Sequence, residues 1–178
     1  MFYTLTSMVQ WAVGRELREV LQGRRMLARI EALTGHHILC GFGRVGEEIA
    51  SELADRGIQF VVLNLEPTPE SAERARERGH LVVQGDATED QTLEAAGVRR
   101  ARTLIAASDS DAGNTYITLS AKAMNPQVFV VARVGSLAAE AKLPRAAADR
   151  VISPYQVGGR RAWPWPLFSR WWSTLSIC

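Results

Sequence analysis

From Gly35 onward, short apolar runs alternate with segments of helical periodicity, and that alternation limits the fold more than any other feature of the chain. The runs fall at residues 37–41, 59–64, 81–84, 103–107, 128–133 and 150–153, with helical patterns over 44–56, 69–78, 89–96, 111–124 and 137–142. Strands this continuously apolar are buried on both faces, which requires a parallel sheet covered by helices. Right-handed crossovers place helices on both sides once the strand order reverses. The expectation is an α/β fold with a doubly wound, six-stranded parallel sheet.

Ahead of this series, Val9, Val13, Leu17, Val20 and Leu21, then Leu27, Ile30 and Leu33, recur at helical spacing with Arg15, Glu16, Arg18 and Glu19 between them. The spacing predicts one long N-terminal amphipathic helix with Gly23 as its weak point. Arg24, Arg25 and Arg29 follow its most apolar part, where the cytoplasmic flank of a membrane span carries positive charge. Periodicity alone fits a helix lying on the domain equally well. The uncharged run at residues 1–14 is shorter than the roughly 20 residues a spanning helix needs, and it has no signal-peptide pattern.

Charge divides the chain in the same way. Residues 1–35 carry five Arg and three acids, residues 36–156 thirteen basic and sixteen acidic side chains, and residues 157–178 three Arg and no acid. The middle is mildly acidic and its basic residues are interleaved with acids, so a nucleic-acid partner is set aside. Three units are expected: a leading helix over 1–35, the α/β domain over 36–156, and a Trp- and Pro-rich tail over 157–178. At 178 residues and 47% apolar the chain has material for one ordinary domain, not for a disordered tail. Cys40 and Cys178 are its only cysteines, which fits a reducing compartment without a disulfide framework.

Gly41-Phe42-Gly43-Arg44-Val45-Gly46 stands directly after the first strand and opens the first helix. This is the dinucleotide fingerprint of a Rossmann-like sheet. Its first glycine makes the tight turn, its second lets backbone approach a pyrophosphate, and its third allows close helix-to-strand packing, while the helix N-terminus presents N–H groups. An acid is expected at the end of the second strand to grip the ribose hydroxyls. Here Asn64 occupies that place, with Glu66 two positions later. An amide still hydrogen-bonds a ribose, so NAD(H), NADP(H) and an adenine mononucleotide all stay open.

Further contacts are expected where other strands end. Gly85-Asp86-Ala87-Thr88 follows the third strand, with Thr88 either a helix N-cap or a ligand contact. Ala106 lies at the end of the fourth strand, and residues 108–114 after it offer capping or ligand contact. Arg133 ends the fifth strand and can meet a phosphate or a local carboxylate. The alternative function is an NAD(P)-dependent oxidoreductase, but a Tyr-x-x-x-Lys catalytic pair is missing: Tyr116 has Ser120 at that spacing and Lys122 lies two residues too far. His36, His37 and His80 fall at strand edges without paired carboxylates and read as structural. Scattered His and two distant Cys make no zinc set, and Asp109 and Asp111 could bind a divalent cation weakly but are read first as helix-capping acids.

Taken together these residues resemble the RCK domain (regulator of K+ conductance, also called the TrkA N-terminal or KTN domain). The resemblance runs from about Gly35 to Arg161, through His37-Ile-Leu-Cys-Gly-Phe-Gly-Arg-Val-Gly46, Gly85-Asp-Ala-Thr88, Ala95-Ala-Gly-Val98, Asp111-Ala-Gly-Asn114, Asn125-Pro126, Val131-Ala-Arg133 and Val151-Ile-Ser-Pro-Tyr-Gln-Val-Gly-Gly159. It implies a nucleotide-sensing module at the cytoplasmic face of the cell membrane, without turnover. The regulatory ligand would be NAD(H) or ATP/ADP. Paired domains would form a homo-oligomeric gating ring acting on a potassium channel or uptake system. The first 35 residues resemble the end of an inner pore helix and its linker; the pore loop, with its Thr-Val-Gly-Tyr-Gly filter, is missing. The tail departs from the family at Ala162-Trp-Pro-Trp-Pro166, either as an interfacial anchor or, as we favour, through a frameshift. Another frame of permitted codons gives Arg-Met-Ala followed by an apolar helix.

Overall fold

The computed structural model describes residues 23–64, 74, 75, 77–136 and 143–153. Within them lie six strands, β1 (His37–Cys40), β2 (Phe60–Asn64), β3 (Leu81–Gln84), β4 (Thr103–Ala106), β5 (Phe129–Arg133) and β6 (Arg150–Ile152). Every pairing is parallel, in the order β3-β2-β1-β4-β5-β6. All residues of β1, β2 and β4 are buried. That burial on both faces is why the interiors of these strands are continuously apolar rather than alternating, with His37, Asn64 and Thr103 at strand ends.

Among the described residues the helices that flank the sheet include α1 (residues 23–31), α2 (Arg44–Asp55), α3 (Asp90–Ala95) and α4 (Asp111–Met124). Ile38 and Cys40 of β1, Val61 and Leu63 of β2, and Leu104 and Ala106 of β4 point to one side. There they share a core with Ile30 of α1, Leu93 of α3, and Ile117 and Ala121 of α4. The residues between them, Leu39, Val62 and Ile105, point to the other side and pack on Ile49, Ala50 and Leu53 of α2 and on Ala75. The two-sided, doubly wound arrangement expected from the alternation is therefore present.

β1 is flanked by β2 and β4. The chain runs outward from β1 to β3, then crosses back to the far side of β1, so the strand order reverses between β1 and β4. Open α/β sheets bind ligands outside the strand carboxyl ends at such a point.

Observed boundaries differ from the expected ones by a residue or two. Gly41 has φ +102°, a conformation that ends β1 at Cys40. In the N-terminal region residues 23–31 are helical, while the earlier part of the expected helix, residues 1–22, lies outside the described residues. So do the expected helix at 137–142, most of that at 69–78, and the tail from residue 154, although residues 74, 75 and 77 are helical. Among the described residues no helix is long and apolar enough to cross a membrane.

The end of α1 is fastened to the domain. Arg100 donates from Nε to the Leu33 carbonyl at 2.9 Å and from Nη2 to that of Ile30 at 3.1 Å, and Gly35 N donates to the Arg100 carbonyl at 2.8 Å. The two side-chain bonds engage carbonyls at the C-terminal end of α1, that of Ile30 also accepting from Leu33 N at 3.0 Å. Met26 adds a contact farther back, its Sδ accepting from Val82 N at 3.1 Å.

Candidate functional site

The carboxyl ends of the strands open onto a cleft of about 1000 Å³, bordered by the loop after β1, the ends of β2 and β5, and the loops after β3 and β4. The three fingerprint glycines play different parts in it. A Cβ on Gly41 would lie 3.0 Å from the backbone of Ala107 and Ser108, and one on Gly46 only 2.1 Å from the Gly41 carbonyl oxygen. Folding alone forbids a side chain at both. Gly43 is different: its φ of −84° and ψ of −167° suit any residue. A Cβ there would meet, among the described residues, only Asp109 Oδ2 at 3.9 Å. Among the described residues nothing requires a glycine at this position, and the space above it is open to the cleft.

Two helix N-termini border the cleft, and their caps differ. Ser110 caps α4, its Oγ accepting from Gly113 N at 3.0 Å. α2 begins at Gly43 with no side-chain cap. As a glycine, Gly43 brings no side-chain acceptor of its own to the first-turn N–H groups, which carry the positive end of the helix dipole, a setting that suits an anion.

The loop after β3 is built around Asp86, whose Oδ1 accepts from Thr88 N at 2.8 Å. Thr88 borders the cleft but does not cap the following helix; Glu89 holds the N-cap position, without a side-chain bond. The short side chain of Asp86 reaches its own backbone two residues on, a turn that shapes the loop ahead of the helix. Asn64 ends β2 in a buried position at the cleft wall. Glu66 lies outside the described residues.

Opposite these, Asn114 organises the loop after β4. Fully buried, it accepts at Oδ1 from Ser108 N at 3.0 Å and Ser108 Oγ at 2.7 Å. Its Nδ2 donates to the carbonyls of Ser108 at 3.0 Å and Arg133 at 2.9 Å. Asp111 fixes the loop after β5, accepting from Gly135 N at 2.6 Å and Ser136 Oγ at 2.8 Å. Arg133 donates through Nη1 to the Ser108 carbonyl at 3.0 Å and to Asp109 Oδ1 at 2.6 Å, so both a carboxylate and the cleft lie within its reach.

The structure thus brings Gly41, Phe42, Gly43, Arg44, Val45, Asn64, Asp86, Ala87, Thr88 and Arg133 to one cleft. Gly46 lies beneath it under Gly41, and Ala106 is buried inside β4, where its neighbour Ala107 forms the wall instead. Glu48, Asp109 and Ser110 also line it. The spacing along α2 could have placed Glu48, one turn after Arg44, whereas Asp109 is brought in by the β1–β4 pairing.

Burial shifts the three histidines, which lie away from the cleft, and Cys40, which lies in its wall. Burial lowers the pKa of His36, whose Nε2 lies 2.8 Å from the Ala96 carbonyl oxygen. Burial, with Arg102 and His36 adding repulsion, lowers His37 to about 4. His80 is lowered by burial too, its ring 4.9 Å from that of Phe60. Cys40 is fully buried and its thiol pKa is raised, so it does not form a nucleophilic thiolate. Among the described residues no three His, Cys, Asp or Glu side chains converge on a metal position.

Comparison with known proteins agrees with this geometry. The chain is 36% identical over 157 residues to potassium channel protein 1 of Methanocaldococcus jannaschii, covering 88% of this chain and 47% of that protein. It therefore spans about half the length of that relative. Among solved structures it is similar to the GsuK channel bound to NAD, at 25% identity and TM-score 0.61, over 68% of this chain and 22% of that one. It is also similar to the Kef C-terminal domain of Shewanella denitrificans in its AMP-bound form, at 25% identity and TM-score 0.58, over 66% and 70% of the two chains. Residues 37–154 match the TrkA-N domain model, from the first residue of β1 to just past β6, and the chain belongs to the TrkA-N domain family.

Proposed function

We propose that residues 36–156 form a nucleotide-sensing regulatory domain of a potassium channel or potassium-uptake system, and that the ligand is NAD(H) or an adenine nucleotide, bound without turnover. The observation that carries this reading is the open space at Gly43 above an N-terminus of α2 that no side chain caps. Nucleotide-bound relatives, one with NAD and one with AMP, support the ligand class. Gly41, Phe42, Gly43, Arg44 and Val45 would hold the phosphates through backbone N–H groups, Asn64 and Glu66 the ribose, and Asp86, Ala87 and Thr88 the adenosine side. Arg133 supplies the nearby cation.

The cleft favours binding over catalysis. Among its described lining residues there is no His, Tyr or Lys to pass a proton to a substrate, and Tyr116 is 57% exposed on α4. Residues 1–35 would link the domain to a membrane pore, at its cytoplasmic face, in a homo-oligomer of paired domains. A ligand then shifts the gate only by its differential affinity for the two arrangements of that assembly.

Calorimetry of the full 178-residue chain with NADH, NAD, ATP and ADP tests the reading, alongside an absorbance assay for cofactor oxidation over alcohols and aldehydes. The expected result is saturable binding without turnover, abolished by Gly43→Val while circular dichroism is unchanged. Turnover overthrows the sensor in favour of an oxidoreductase. Failure of every nucleotide to bind leaves a purely structural assembly role.

A further inference from the structure

The carboxylate of Asp109 stands in front of the phosphate loop. Its Oδ2 is the atom that a Cβ on Gly43 would meet, at 3.9 Å, and its Oδ1 holds Arg133 Nη1 at 2.6 Å. The side chain of Asp109 is 93% exposed, whereas that of Arg133 is 18% exposed. Arg133 has only part of its donor set engaged: Nη1 also reaches the Ser108 carbonyl, while Nε is buried with no hydrogen-bond partner among the described residues. One cation at the cleft, Arg133, is thus already met by one of the chain's own anions, and that anion faces the loop where the phosphate is expected.

We propose that Asp109 is an internal counter-anion that sets the charge selectivity of the cleft. Resting on the nucleotide reading above, it occupies the phosphate side of the cleft, so that a polyanionic ligand must displace it from Arg133 or accept its repulsion. The uncharged nucleoside portion of a ligand is not opposed. Asp109 is suited to yield: an exposed carboxylate recovers its hydration when it leaves, and exposed ion pairs hold their partners only weakly. The half-buried guanidinium gains more from a bidentate phosphate than from one carboxylate oxygen, because it can then engage further donors. Asp109 therefore grades ligands by charge instead of excluding them. Arg44 at the start of α2 and Glu48 one turn later border the same cleft, so the local field has other contributors.

The test is calorimetry of the full chain and of Asp109→Asn with adenosine, ADP and ATP, divalent cations chelated, at low and high salt. In low salt the variant should bind ADP about 3- to 10-fold more tightly, ATP by a larger factor, and adenosine within about 2-fold of wild type. At about 0.5 M salt the gain should fall below about 2-fold, because exposed charges are screened. Melting temperature should not move, which separates a field effect from a change in fold. Equal tightening of adenosine and ADP, or weaker ADP binding by the variant, overturns the proposal. If wild type binds no nucleotide, the nucleotide reading itself fails and inorganic pyrophosphate becomes the probe. Tighter pyrophosphate binding by Asp109→Asn then upholds the counter-anion, an unchanged affinity overturns it, and no binding by either chain overturns both.

Discussion

The two ends of the sheet are finished in opposite ways. At the amino end the chain closes on itself: Arg102 N donates to the His36 carbonyl at 2.9 Å, His37 N to that of Gln59 at 3.0 Å, and Phe129 N to that of Arg102 at 3.0 Å. The imidazoles there are buried and held neutral. At the carboxyl end the backbone turns away at Gly41, α2 starts without a side-chain cap, and a cleft of about 1000 Å³ separates the loops. Both ends belong to the same strands. What differs is how the backbone is finished: at the amino end adjoining loops bond one another, and at the carboxyl end they separate around the cleft proposed above as the site of recognition.

The largest effect should come where the recognition end borrows from packing. Gly46→Ala places a Cβ against the Gly41 carbonyl, so α2 must move off β1, at a cost of about 3 kcal/mol or more read as a fall in the urea midpoint. Next in size is a pH effect specific to the amino end. His37 has its ordinary pKa of 6.5 when unfolded and about 4 when folded, so below pH 6.5 the unfolded chain binds the additional proton and stability falls as pH falls. Its share is full above pH 6.5 and mostly gone near pH 4, a loss of about 3 kcal/mol, and His37→Gln should flatten urea-derived stability over that window. A slope unchanged in the variant would show that the amino end is wetter than its burial implies.

Asn114→Ala should cost roughly 2 kcal/mol, since it strands the buried backbone groups that the amide now satisfies. It should also loosen the loop carrying Asp109, seen as faster amide exchange at Ser108. Smallest of all is the stability change in Gly43→Ala, within about 1 kcal/mol by thermal melting, because its backbone is ordinary and space is open. A large loss there would show that the second glycine, like the third, is structural.

Much of the fold was legible because local and global signals agreed. β3 and α4 appear with the expected bounds, and α2 starts where expected, since period and turn residues coincide there. The fingerprint was legible as a motif, but sequence spacing could not say that Gly41 and Gly46 answer to packing and Gly43 does not. That distinction depends on atoms from β4's loop and from Gly41 itself. By residue type Thr88 suits both a cap and a ligand contact; the structure leaves the N-cap position to Glu89 and sets Thr88 at the cleft. Asp109 looked like one more acid at a helix start. Its position opposite both Gly43 and Arg133 comes from the β1–β4–β5 adjacency, which is not written in any local window.

The fastening of α1 has a mechanical consequence. With Ile30 fully buried, Arg100 gripping two carbonyls near the helix end and Met26 bound to β3, the joint between helix and sheet has little compliance. Such a joint would carry a displacement of the sheet to residue 23 as rotation of a stiff rod, and Arg100→Ala should loosen it with the cleft intact, read as faster amide exchange at Leu33 and Gly35 and unchanged cleft binding.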